Sequence, residues 1–139
     1  MAARQFTLEE AESLLPRLTE LMLELRVRKA EYDGFMRQVE ELGQKLRGNG
    51  HLVDAELKDA QAGLEQSAEA VSSLAEEVQE MGCDLKGIEE GLIDFRTEMG
   101  GREVYLCWKF GEGRIDWWHE LDTGFAGRQP LRREAADNG

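Results

Sequence analysis

The stretch that decides the fold is Arg102–Asp122, REVYLCWKFGEGRIDWWHELD. Two runs rich in β-branched and aromatic residues flank Gly111-Glu112-Gly113-Arg114, and a glycine-bearing interval between such runs marks a hairpin. The pattern predicts strands over Arg102–Phe110 and Ile115–Leu121, with Phe110 paired to Ile115. That register gives one face Val104, Leu106, Trp108, Phe110, Ile115, Trp117, His119 and Leu121, apolar enough for a core. The other carries Glu103, Tyr105, Cys107, Lys109, Asp116, Trp118, Glu120 and Asp122 and is mostly wet. A further strand over Leu92–Arg96 adds Ile93 and Phe95 to the core face and sets Leu92, Asp94 and Arg96 beside Glu120 and Asp122.

Before Gly82 the apolar period changes from two to between three and four. Thr7 and Glu10 are spaced for a reciprocal capping box, with Leu8, Ala11, Leu15, Leu18, Met22 and Leu25 following on one helical stripe. Leu14, Leu21, Phe35 and Leu42 form a second line seven residues apart. Pro16 interrupts this helix because it has no amide to bond backwards, so a kink or a helix that starts properly only after it is expected. Arg47-Gly48-Asn49-Gly50 breaks the pattern, and a second heptad run through Leu57, Ala60, Leu64, Val71, Leu74 and Val78 ends near Gly82. Two such helices joined by a short loop fold back on one another.

The expected architecture is therefore α+β and a single domain over residues 1–139. It comprises a long antiparallel, coiled-coil-like helical hairpin over 7–82 with its tip near 47–51. A three-stranded antiparallel β-sheet over 91–121 packs on its base, after a linker over Cys83–Glu90. A tail over 122–139 frays after residue 132.

A chain of 139 residues fits one core. Its net charge of −12 repels phosphate backbones and anionic lipid, which argues against nucleic acid and membrane partners. The start reads as no signal peptide, and no run of about 18 apolar residues occurs. Two cysteines, Cys83 and Cys107, lack metal-type or redox-type spacing and read as reduced thiols, so a cytoplasmic location is expected.

Several segments, taken in order, carry a family resemblance: Phe6-Thr7-Leu8-Glu9-Glu10-Ala11, Leu14-Leu15-Pro16, Gly91-Leu92-Ile93-Asp94-Phe95, Val104-Tyr105-Leu106-Cys107-Trp108, Trp118-His119-Glu120 and Gly124-Phe125-Ala126-Gly127-Arg128-Gln129-Pro130. From Phe6 to Leu131 the chain resembles the prokaryotic family known as domain of unknown function 2203. The resemblance implies a small bacterial or archaeal protein and carries over no activity, cofactor or catalytic residue.

The densest polar cluster is His119-Glu120-Leu121-Asp122, with Asp94, Cys107 and Arg128 as possible neighbours. Imidazole and carboxylate suit zinc, iron or manganese, and a thiolate favours zinc. Alternation along a strand sends His119 and Glu120 to opposite faces, so they share one ion only across a bulge. The feasible sets are His119 with a helix carboxylate, or Asp94, Cys107, Glu120 and Asp122 on the outer face. The competing reading makes His119 a core histidine and the acids a solvated face balanced by Arg96 and Arg128. Cys107 as nucleophile with His119 as base meets the same objection.

Gly124 to Gln129 is glycine-spaced and basic, so Arg128 is a candidate anion binder, although the reading in which Phe125 plugs the sheet end and the glycines permit the bend is the favoured one. Trp118 beside Tyr105 on an outward face suggests a partner surface unless the Phe125–Leu131 tail covers it. Phe35 and Leu42 exceed what one partner helix needs and suggest a second hairpin and a dimer. These features favour a non-enzymatic interaction or homo-oligomerisation protein with no catalytic residues. The alternative is a metal-binding protein or metal-dependent enzyme using His119, Glu120, Asp122 and Asp94.

Overall fold

A computed structural model describes residues 4–49 and 53–131. Part of the expected helical tip, residues 50–52, and the expected fraying tail from 132 onward lie outside the described residues. The first helix, α1, is Leu8–Ser13, and the predicted capping box forms. The Glu10 amide donates to Thr7 Oγ1 at 3.0 Å and the Thr7 amide to Glu10 Oε1 at 2.8 Å. The helix then breaks at Leu14, and α2 runs from Leu15 to Asn49. Pro16 is thereby placed in the first turn of α2, where a backbone N–H has no intrahelical partner to lose. The helix starts just before the proline, not after it. The next long helix, α3, is Asp54–Glu80, and Gly82 at φ +94° takes the chain out of it.

Contacts divide the chain into two compact units: residues up to Met22 together with those from Glu76 onward, and Leu23–Ala75. In the second unit Leu25, Ala60 and Ser67 are buried. The Phe35 ring fills the space beside Gly63 where a Cβ would stand. Leu23 and Val27, one helical turn apart, stay 58% and 52% exposed.

The first unit holds a five-stranded antiparallel sheet in the order β1-β2-β3-β4-β5. Its strands are β1, Asp84–Gly87; β2, Leu92–Met99; β3, Arg102–Lys109; β4, Trp117–His119; and β5, Gln129–Pro130. Three strands were expected. The segment read as a linker supplies β1, whose single strong apolar residue, Leu85, gives no visible alternation. The tail supplies β5, a short exposed edge where Pro130 needs no ladder amide. The hairpin between β2 and β3 turns on Gly100-Gly101, both at positive φ (60° and 81°), the two-residue turn that matches strand twist. Leu18, Met22 and Val78 are buried in this unit along with Ile93, Phe95, Leu106 and Trp108. The N-terminal segment is fastened to the sheet as well, since the Phe6 amide donates to the Arg96 carbonyl at 2.7 Å and its ring meets Phe95 edge-on.

The register between β3 and β4 differs from the expected one by a single residue. Tyr105 pairs with His119, Leu106 with Trp118 and Cys107 with Trp117. The cause lies in the connecting loop. The Lys109 amide, free for a fourth strand, donates to the Glu112 carboxylate at 2.7 Å, and the Glu112 amide donates to the Lys109 carbonyl at 2.9 Å. Trp108 Nε1 adds a bond to the Glu112 carbonyl at 2.9 Å. The Ile115 amide turns away to the Glu12 carboxylate of α1 at 2.9 Å. Phe110 and Ile115 therefore never pair, and β4 starts only at Trp117. Because side chains alternate, a slip of one residue reverses every side chain of β4 relative to β3. His119 moves to the face of Tyr105 and Cys107, and Trp118 to that of Leu106.

Candidate metal centre

That reversal assembles the most concentrated chemistry in the molecule. Asp94 on β2 and Cys107 on β3 are direct cross-strand partners, and His119 on β4 pairs with Tyr105, two residues from Cys107. All three therefore project from one face of three adjacent strands. A carboxylate oxygen, a thiol sulfur and an imidazole nitrogen lie within 4.8 Å of one another. The residues are only 3%, 1% and 1% exposed.

Imidazole orientation is fixed by its other nitrogen. Nδ1 lies 2.7 Å from the Glu120 carbonyl oxygen, which can only accept, so Nδ1 carries a proton and donates. Nε2 then faces Asp94 Oδ2 at 3.0 Å. In the neutral ring Nε2 presents a lone pair to the carboxyl group. The backbone carbonyl thus performs the outer-shell task common behind metal-bound histidines, holding the tautomer and the ring plane. Burial pushes the Asp94 carboxyl up, with His119 and the Cys107 thiol pulling the other way. Burial also pushes the Cys107 thiol up to about 12, with the Asp94 charge next in importance. Two acidic groups side by side in a dry site both favour their protonated forms, and a cation between them would reverse that preference.

A cavity of about 120 Å3 opens onto the three groups. Its rim is Lys86, Leu92, Tyr105, Leu121, Gly124 and Phe125. The Tyr105 ring stacks at a tilt on His119, centroids 5.4 Å apart, while its hydroxyl donates to Asp84 at 2.9 Å. Lys86 Nζ stands 4.7 Å from the Tyr105 ring centroid. Gly124, at φ +66°, bends the chain into a short 3-10 turn over Phe125–Gly127 that borders the opening.

The other sequence-derived candidates are placed elsewhere. Glu120 lies on the opposite face and pairs with Arg102, and Asp122 is exposed, so neither joins His119 and Asp94. Arg128 engages the Glu112 carboxylate at 2.8 and 3.0 Å and stacks on Trp117 and Phe125. Its charge is matched by Glu112 inside the molecule. Tyr105 is 4% exposed and forms no outward surface with Trp118. Trp118 is half-buried, with Arg102 over its ring. Phe35 and Leu42 are half-buried, Phe35 against Gly63. Lys86 was missed because its strand was read as linker. The pairing of Asp94 with Cys107 had a readable signal, since the Gly100-Gly101 turn alone sets it.

Sheet and cluster together define an α+β protein with a His/Cys/Asp constellation sunk into the face of an antiparallel sheet. The chain belongs to the family described as Uncharacterized conserved protein (DUF2203), which matches residues 4–131. That span includes every described strand and all three cluster residues. No curated protein and no solved structure matches the chain. Among the described residues no helix is long and apolar enough to cross a membrane.

Proposed function

We propose that the protein binds one divalent transition-metal ion through Asp94, Cys107 and His119, and that zinc fits best. The observation that carries this reading is the convergence of oxygen, sulfur and nitrogen donors from three neighbouring strands within 4.8 Å. Ligand atoms of a tetrahedral zinc site are about 3.3–3.8 Å apart, given bonds of roughly 2.0–2.3 Å, so the imidazole and carboxylate, now 3.0 Å apart, need only open slightly and separations up to 4.8 Å close by about 1 Å. A thiolate beside an imidazole favours zinc over manganese, which prefers oxygen, while iron remains compatible. Three protein donors leave a fourth position open, the arrangement of zinc sites that bind an exogenous ligand. A thiolate donor also suits the reducing, cytoplasmic setting expected from cysteine usage.

The test uses untagged protein stripped of metal and reloaded with zinc. Elemental analysis is expected to give one ion per chain and thermal denaturation a higher midpoint. His119→Ala and Cys107→Ala should each abolish tight binding, whereas Glu120→Ala should not. No retained ion at excess zinc, or equal retention by the His119→Ala and Cys107→Ala variants, overturns the reading.

A second reading concerns the helices. Leu23 and Val27 leave adjacent apolar side chains 58% and 52% exposed on α2, which supports self-association of the helical segment as an antiparallel hairpin. Light scattering is expected to give a dimer that Leu23→Glu with Val27→Glu dissociates. A monomer at every concentration overturns it.

A further inference from the structure

We infer that the open side of this centre takes a short-chain carboxylate, held between the bound ion and the Lys86 ammonium. The inference rests on the metal reading of Asp94, Cys107 and His119. Charge, space and the placement of one lysine carry it.

The Asp94 carboxylate and the Cys107 thiolate together neutralise a divalent ion, and His119 adds no charge when neutral. What remains at the opening is Lys86. Its ammonium lies 4.7 Å from the Tyr105 ring centroid and makes no ion pair among the described residues. A site neutral at the metal and singly positive at its rim is complementary to a monoanion. A dianion would leave excess negative charge in a poorly solvated cleft.

Lys86 reaches this place through a backbone irregularity. In β1, Asp84 pairs with Asp94, Leu85 with Ile93 and Gly87 with Leu92, which leaves Lys86 as the extra residue of a bulge. Bulges re-aim side chains beside functional sites. Here the bulge brings the lysine to the rim of the cavity that Asp94, Cys107 and His119 also line.

The cavity measures about 120 Å3, well below the roughly 300–1,000 Å3 of pockets for drug-sized ligands, so nucleotides and sugars are excluded. The other polar rim group is engaged, because the Tyr105 hydroxyl donates to Asp84. Leu92, Leu121 and Phe125 offer only apolar surface. A ligand with one anionic head for the ion and the ammonium, and a short alkyl tail for these three, matches that lining.

Cobalt(II) replaces zinc as a visible probe. The cobalt-loaded protein is titrated with acetate and propionate, with propionamide as the uncharged isostere and sulfate as the dianion. Saturable change in the cobalt absorption is expected for the carboxylates, with propionate tighter than acetate, and none for propionamide or sulfate. Lys86→Gln is expected to weaken carboxylate binding about three- to tenfold, as befits a partly exposed charge-assisted contact, in a protein that still takes up one cobalt ion. Lys86→Arg should restore it. A cobalt spectrum that no carboxylate perturbs, that propionamide or sulfate perturbs equally, or whose response ignores Lys86→Gln, overturns the carboxylate inference and leaves the metal reading standing. Failure to form any cobalt spectrum overturns the metal reading and this inference with it.

Discussion

Burial decides the state of both thiols. Cys83 is 2% exposed, donates to the Val78 carbonyl at 3.3 Å, and has its thiol pushed up to about 11 by desolvation. Cys107 is pushed up further, to about 12. Only the thiolate is nucleophilic, so at pH 8 neither sulfur should react quickly with a disulfide reagent in the native protein. Two equivalents should react promptly once urea unfolds it, and a fast native equivalent would contradict the burial. At this scale the sequence spoke unevenly. Residue type alone singled out His119 and Asp94 as candidate ligands, and Cys107 was placed on the same face as Asp94, which the strand pairing bears out. What misled was the expected register, which set Glu120 and Asp122 instead of His119 on the face of Asp94 and Cys107. The Glu120 backbone carbonyl, not its carboxylate, serves the imidazole.

The elements were legible where a local rule fixes them. The capping box at Thr7, the break around Pro16 and the glycine exit after α3 follow from propensity and spacing alone. The ribbon after Phe110 was not legible, because its register is set by a side chain, Glu112, that occupies the Lys109 amide, and by Glu12, remote in sequence, that claims the Ile115 amide. Neither contact leaves a periodic trace. The Glu12 bond is testable, since Ile115 is 0% exposed and a substitution at Glu12 removes the carboxylate that accepts from its amide at 2.9 Å. Glu12→Leu should lower stability by about 1–3 kcal/mol in urea denaturation, and Glu12→Gln by less. An unchanged midpoint for Glu12→Leu would mean the amide finds another partner. On α2 the expectation has the opposite sign. A Cβ at Gly43 meets nothing within 4 Å, so Gly43→Ala should raise stability by about 1 kcal/mol through backbone entropy and helix propensity. A loss on the same measurement would expose a neighbour at that position.

For the molecule as a whole, the acid side of the stability profile is set by carboxylates that fasten the N-terminal segment. The Thr7 backbone N–H holds the Glu10 carboxyl below its ordinary value of 4.5. Gln5 and then Arg96 do the same for Glu103. A carboxyl depressed in the folded state stabilises fully above its unfolded value, and the contribution disappears as pH falls through the folded one. Thermal midpoints should therefore drop below about pH 4.5, and Glu10→Gln combined with Glu103→Gln should flatten that drop. An equally steep decline in the double variant would assign the loss to other acids. The fold class and the two long helices agree with composition and period, and among the described residues no helix is long and apolar enough to cross a membrane. The strand count does not, because β1 and β5 are too short to show a period.

The turn at Gly100-Gly101 has a consequence for the centre that its distance conceals. Asp94 and Cys107 lie equally far along the two arms from that crease, as two marks on a folded ruler coincide only while the fold line stays put. One residue inserted in either arm alone would part the carboxylate from the sulfur, sending them to opposite sides of the ribbon. One inserted in both arms would bring them back together.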